Sequence, residues 1–228
     1  MSLLEIFNKN KKPIDKFEHY FPLYEKWLGK FQGKSPKILE IGIQHGGSSL
    51  MWLEYFGQGT KIIGVDLDQN CKKHQTKDIE IFIGDQSDEN FWDNFLKDNY
   101  DFNIIIDDGS HENYDQILTL KKTYNYLLDD GIYWCEDTHT SYYDKRVKNG
   151  GYKNSNNFTE YCKNLIDVLS ENHTHYAIGV GPTPDNVHVD EDFVNLYKKI
   201  QGIHFYDSVV VIEKGIPFDF KRIIHKGT

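Results

Sequence analysis

From Lys37 onward, short apolar runs alternate with stretches of helical period, and few folds accept that pattern. Lys37 to Ile41, Lys61 to Asp66, Ile79 to Ile83, Phe102 to Ile106 and Gly131 to Cys135 read as strands. Ser48 to Phe56, Asp88 to Lys97 and Asn113 to Leu127 read as helices between them. This alternation predicts an α/β fold, a Rossmann-like doubly wound sheet of about seven strands with helices on both faces. The tail breaks the rhythm. Phe158 to Leu169 and Glu191 to Ile200 read as helices around a loop with Pro182 and Pro184. Gly202 to Tyr206 and Ser208 to Glu213 then read as strands joined through Asp207, which permits an antiparallel hairpin or one long bent strand. Residues 1–35 read as a helical cap and residues 36–228 as the main domain. In the cap, Phe17, Tyr20, Phe21, Tyr24 and Leu28 fall near helical spacing, interrupted by Pro22, and are expected to pack against the sheet edge.

At 228 residues the chain suits one large α/β domain. A formal net charge of −9 with scattered lysines argues against nucleic acid as a partner, because phosphate backbones are met by basic stripes. Three cysteines (Cys71, Cys135, Cys162) give neither a disulfide framework nor a metal knot, and Cys135 reads as a small core residue. The N-terminus lacks the apolar segment of a signal peptide, and no window nears the roughly 18 apolar residues of a spanning helix. No membrane partner is expected, and a soluble cytoplasmic protein is.

Between the first strand and its helix lies Glu40-Ile41-Gly42-Ile43-Gln44-His45-Gly46-Gly47-Ser48-Ser49. Glycines there let backbone approach a ligand where a Cβ would collide. The spacing differs from that of dinucleotide binders. Glu40, two residues before Gly42, would repel a pyrophosphate and suits a cationic ligand, such as a sulfonium carrying an ammonium group. The loop resembles motif I of S-adenosylmethionine methyltransferases, which makes Glu40, Gly42, Gly46 and Ser48 cofactor-binding candidates. Asp66 ends the second strand, where an acid can accept from both hydroxyls of a ribose. By the same resemblance Asp85 and Gln86, after the third strand, lie beside an adenine.

Two later segments carry chemistry. The fourth strand runs into Asp107-Asp108-Gly109-Ser110-His111 and the fifth into Glu136-Asp137-Thr138-His139. Ligands of doubly wound sheets gather at the carboxyl ends of the strands. Several carboxylates converging there repel one another unless something positive sits between them, and a hard divalent cation with oxygen ligands is the natural neutraliser. Such an ion lowers the pKa of a bound hydroxyl, and a histidine can take its proton. Asp107 reads as a cofactor contact or as the cap of the next helix.

These segments, with Thr140-Ser141-Tyr142 and Ile203 to Ser208, resemble the metal-dependent sugar O-methyltransferases of macrolide antibiotic biosynthesis, over roughly Lys37 to Lys214. The resemblance implies a class I methyltransferase fold, S-adenosyl-L-methionine and Mg²⁺ (or another divalent cation) as cofactors, Asp108, Glu136 and Asp137 as metal ligands, and His111 as general base. Members of that family carry a sizeable N-terminal region not seen here, so acceptor identity and assembly do not carry over, and a homo-oligomer stays open.

Ser141 to Asn157 is rich in Tyr, Asn, Gly and Lys, with Gly150-Gly151 able to hinge a lid. Tyr142 and Tyr143 are acceptor-contact candidates. His139 reads as metal-ligand support, acceptor contact or surface residue, and His173, His175, His188 and His204 read as structural. The expected reaction is methylation of a sugar hydroxyl on a glycan, nucleotide-linked sugar or glycosylated metabolite. A catechol-type O-methyltransferase of small molecules and a non-catalytic S-adenosylmethionine-binding module are the alternatives.

Overall fold

The alternating runs fold as seven strands: β1 (Lys37–Ile41), β2 (Lys61–Asp66), β3 (Ile79–Ile83), β4 (Phe102–Asp107), β5 (Leu127–Cys135), β6 (Ile200–Tyr206) and β7 (Val209–Lys214). The computed structural model describes residues 1–169, 191–197, 199–215 and 225. The expected loop with Pro182 and Pro184, and His173, His175 and His188, lie outside the described residues. The strands form one sheet in the order β3-β2-β1-β4-β5-β7-β6. Neighbours from β3 to β5 are parallel, while β7 pairs antiparallel with both β5 and β6. The hairpin turn is Asp207–Ser208, with Ser208 at φ 66°, so the tail is an antiparallel pair and not a bent strand.

Side chains alternate across a strand, and both faces of this sheet are covered, so both sets are apolar. Leu39, Ile63, Ile105, Tyr133 and Val210 share one core with Trp92 and Phe95 of α4 (Glu89–Phe95), Leu118 and Leu120 of α5 (Asn113–Thr123) and Phe158 and Cys162 of α6 (Phe158–Asn164). Ile38, Ile62, Ile104, Trp134 and Val211 share the other core with α1 (Leu3–Asn8), α2 (Phe21–Leu28) and α3 (Gly47–Phe56). The N-terminal cap therefore lies across a face of the sheet and not along its edge. Tyr24 stacks on Trp134 of β5 at 4.5 Å between ring centroids, and Trp27 reaches His204 and Tyr206 of β6. Pro22 starts α2 instead of interrupting it, because its missing N–H costs nothing in the first turn.

Boundaries move where tertiary pairing overrides local period. The helix expected to reach Leu127 ends at Thr123, and a 3₁₀ turn follows at Tyr124–Tyr126. Leu127 pairs with Phe102 and so opens β5, ahead of a register shift that takes up the exposed Asp129 and Asp130. The helix expected over Phe158 to Leu169 divides into α6 and α7 (Ile166–Leu169). The helix α8 (Glu191–Leu196) stops short of Ile200, which pairs with Lys214. Cys71, Cys135 and Cys162 are free and buried. Among the described residues, no helix is long and apolar enough to cross a membrane.

Candidate active site

The carboxyl ends of β1 to β5 open onto one cavity of about 800 Å³. At its floor Gly42 has φ +90°, and a Cβ there would collide with the carbonyl oxygen of Asp108. The glycine thus serves the approach of the β1 and β4 loops to each other. Gly46, at φ +70°, precedes the first turn of α3, and a Cβ on Gly47 would strike the carbonyl of Pro13. An N-terminal strand of chain, residues 9–17, lies over this loop. Gly42, Gln44, His45 and Ser48 line the cavity beneath it.

Asp66 lines the cavity and also ties the loop down. Its Oδ2 accepts from the N–H of Ile43 (2.8 Å) and Gln44 (2.9 Å), and its Oδ1 from that of Asp68 (2.8 Å). Burial pushes its pKa up, but these backbone donors outweigh burial and hold the carboxyl below its usual range. Asp85 also lines the cavity, held below its usual pKa by the hydroxyl and the N–H of Ser87. Gln86 is buried and makes three bonds. Its Nε2 donates to Asp107 Oδ1 (2.8 Å) and Thr119 Oγ1 (2.9 Å), and its Oε1 accepts from Ser110 N (2.9 Å).

Three expected cofactor contacts lie outside the cavity lining, Gly46 on the turn before α3 and two acids. Glu40 is buried among core groups, accepting from Ser49 Oγ and from Trp52 Nε1 (3.1 Å), and does not line the cavity. Asp107 is buried beside Gln86 and Tyr133, and the residue that caps α5 is Glu112. The pleat explains both. Glu40 lies opposite Ile106 and Asp107 opposite Ile41, so each acid points into one of the two layers. Asp66 at the last position of β2, and the acids past the ends of β3, β4 and β5, line the cavity instead.

Burial raises the Asp107 carboxyl from its usual 3.8 to about 6. A carboxyl raised on folding keeps its proton in the folded state after the unfolded chain has lost it. Its contribution to stability is full below pH about 4 and is lost as pH rises to about 6. Asp107→Asn is expected to flatten that part of the profile, measured by thermal unfolding of metal-free protein between pH 4 and 7. An unchanged slope would contradict it.

Asp108, His111 and Asp137 also line the cavity, each offering one ligand atom, all within 4.8 Å of one another. His111 Nε2 is 3.4 Å from Asp137 Oδ2 and 4.0 Å from Asp108 Oδ1. His111 and Asp137 both adopt left-handed backbone, φ 59° and 54°. Such strain persists only where surrounding structure enforces it. Thr140 Oγ1 donates to the His111 carbonyl at 2.8 Å, and the N–H of Thr140 to the Asp137 carbonyl at 3.1 Å. The buried Nδ1 of His111 has no hydrogen-bond partner.

Glu136 stands apart from this trio. Its Oε1 accepts from Tyr24 OH and Trp134 Nε1 (3.2 Å), and its Oε2 takes Lys16 Nζ at 2.7 Å. The same Nζ pairs with Asp108 Oδ2. Tyr20 OH donates to Asp137 Oδ1 at 2.7 Å. The expectation that only a metal would sit among these acids is therefore corrected, because the chain supplies an ammonium of its own. Burial, with the neighbouring Asp108 charge, raises Glu136 to about 7, and burial raises Asp108 to about 6 despite Lys16. Burial pushes Lys16 down, but the two carboxylates outweigh it and hold it above its usual value.

The donor set fits a divalent cation. In their ionised forms three carboxylates face one ammonium, leaving two negative charges uncompensated, and oxygen-rich sites suit hard dications. His111 Nε2 stands at the same point.

On the acceptor side, His139 lines the cavity, with Nδ1 against Ser208 Oγ and its ring edge-on to Phe17 and Tyr143. Tyr142 and Tyr143 are exposed and lie outside the cavity lining, and Tyr143 reaches it only through His139. The polar loop after them is anchored. Asn157 Nδ2 bonds the carbonyls of Ser141 and Gly151, and a Cβ on Gly150 would strike the Tyr143 carbonyl. Gly150 thus answers to close packing. His204 is paired with Glu213 Oε1 at 2.7 Å, as a structural residue would be.

The cap's contribution was missed in the sequence. Lys16, Tyr20 and Tyr24 all donate to the acids, and Phe17 lines the cavity. For Tyr20 and Tyr24 the signal is a phenol every fourth residue on an otherwise apolar stripe.

No family model matches the sequence. The chain is 27% identical to the mycinamicin VI 2''-O-methyltransferase of Micromonospora griseorubida, over 99% of this chain and 58% of that one. It is 30% identical to a 3'-O-methyltransferase of Streptomyces olivaceus that acts on 8-demethyl-8-(2-methoxy-alpha-L-rhamnosyl)-tetracenomycin C, over 90% of this chain and 53% of that one. A structure of MycE, the mycinamycin-pathway methyltransferase, in complex with Mg, SAH and mycinamycin VI, superposes with a TM-score of 0.76 at 25% identity, covering 94% of this chain and 54% of that one. The chain spans about half the length of the curated relatives it matches.

Proposed function

We propose that this chain, which has the class I methyltransferase fold and resembles the sugar O-methyltransferases above, moves a methyl group from S-adenosylmethionine to a sugar hydroxyl of a glycosylated small molecule, with a divalent metal such as Mg²⁺. The observation that carries this reading is the meeting of Asp108, His111 and Asp137 in the cavity that Asp66 and the Gly42 loop also line. Its relatives are named for methylating sugars, and one was solved with Mg and SAH.

When bound, S-adenosylmethionine supplies an electrophilic methyl on its sulfonium. When bound, the metal lowers the pKa of an acceptor hydroxyl that it touches. Asp108 and Asp137 would hold the ion, with Glu136 behind them. Asp66 would accept from one ribose hydroxyl through the lone pair its backbone donors leave free, and Asp85 and the Gln86 backbone would flank the adenine. His111 Nε2 would take the hydroxyl proton as the C–O bond forms and the methyl–sulfur bond breaks, the sulfonium leaving as a neutral thioether, and Asp137 Oδ2, 3.4 Å away, would stabilise the resulting imidazolium. His139 and Phe17 present ring faces and edges to the acceptor.

The test is where the methyl goes. Labelled S-adenosylmethionine with Mg²⁺ is offered glycosides carrying free vicinal hydroxyls, and separately catechols. Label is expected as an O-methyl group on the sugar. Transfer to catechols alone would overturn the sugar reading, and tight cofactor binding with no transfer to either would favour a non-catalytic module.

A further inference from the structure

Lys16 carries a buried ammonium that the mechanism does not use. Its side chain is 3% exposed, and its Nζ bridges Asp108 and Glu136, two of the acids assigned to the metal. An ammonium and a dication on one carboxylate repel each other strongly where water is excluded. Lys16 lies on an irregular segment between α1 and the 3₁₀ turn at Glu18–Tyr20. Among the described residues, the backbone of residues 11–16 makes no hydrogen bond to other backbone. The segment is held instead by side chains: Asn10 Nδ2 to the Gly47 carbonyl (2.7 Å), Lys12 Nζ to His74 Nδ1 (2.9 Å), and Lys16. Pro13 and Ile14 rest on the glycine loop as one wall of the cavity.

We propose that Lys16 is a built-in competitor of the metal: its ammonium occupies the carboxylates until a dication displaces it, and that displacement frees the residue 9–17 strap over the cofactor cavity. This rests on the metal reading above. Ion entry breaks one of the strap's three side-chain anchors, so ion binding and strap mobility rise together. By linkage, whatever holds the strap down weakens the ion to the same degree.

The probe is Mn²⁺ titrated into metal-free protein, with free ion counted by electron paramagnetic resonance. Lys16→Met keeps the length and removes the charge. It is expected to bind Mn²⁺ about tenfold tighter or more, since a site competent only part of the time binds with affinity reduced by that fraction. Wild-type protein needs no substitution for the second readout. Amide exchange across residues 10–17 is expected to quicken when Mn²⁺ binds. Equal or weaker binding by Lys16→Met, or exchange that stays constant or slows, overturns the proposal. If that happens while Asp137→Asn abolishes binding, the metal reading stands and only the role of Lys16 falls. If neither wild type nor Lys16→Met binds Mn²⁺, both fall.

Discussion

His111→Asn is expected to slow methyl transfer by roughly 10²–10⁴-fold, the usual contribution of a general base. Asparagine is the clean substitution. Position 111 sits at φ 59°, and asparagine tolerates left-handed backbone better than alanine, so the turn that carries Asp108 keeps its shape. The carbonyl that accepts from Thr140 is also untouched. The loss would fall on the rate of transfer, with the dissociation constant for S-adenosylmethionine, measured by calorimetry, within about twofold of wild type. The proposed base pairs with Asp137, whereas the proposed cofactor contacts centre on Asp66 and the Ile43–Gln44 backbone it holds. A variant that keeps its full rate would remove His111 from the chemistry. One that loses rate and cofactor affinity together would make it a structural residue.

The second large effect concerns the ion. A sugar hydroxyl is a weak nucleophile at neutral pH, and lowering its pKa is the task assigned to the metal. Without the ion, Asp108 is paired to Lys16 and Asp137 to Tyr20, and neither pair can acidify a hydroxyl. Chelation is therefore expected to stop turnover, and Mg²⁺ to restore it. Asp137→Asn removes one charge from the trio and weakens the partner of His111, so added Mg²⁺ should fail to rescue that variant. Circular dichroism would show the variant folded, because Tyr20 keeps the Ser208 carbonyl as a second acceptor at 3.4 Å.

The doubly wound sheet was legible because its signal is local. The limits of β1, β2 and β3 fall where the apolar runs put them. β5 was read as starting at Gly131 because nothing near Leu127 in sequence announces its pairing with Phe102, 25 residues away. In the site, Asp108, His111 and Asp137 stood out as polar residues just past strand ends, and they meet in space. Glu40 and Asp107 carried the same signature but lie on the strands themselves, where pleating sends them into opposite layers. Separating the two classes needs the strand end to within one residue, which local period does not give. Lys16 was out of reach for another reason. It meets Glu136 across 120 positions of sequence, and only the path of the cap over the sheet brings them together. Tyr20 and Tyr24 were read as core, and their rings are core, but their hydroxyls are turned to the acids.

The most direct measurement is a single turnover of labelled S-adenosylmethionine on a glycoside acceptor, with enzyme first stripped by excess EDTA and then given Mg²⁺. Asp108 and Asp137 as a metal seat predict no label transferred before the ion is added and full transfer after it. Transfer at the same rate in EDTA would mean that Asp108 and Asp137 serve some other end.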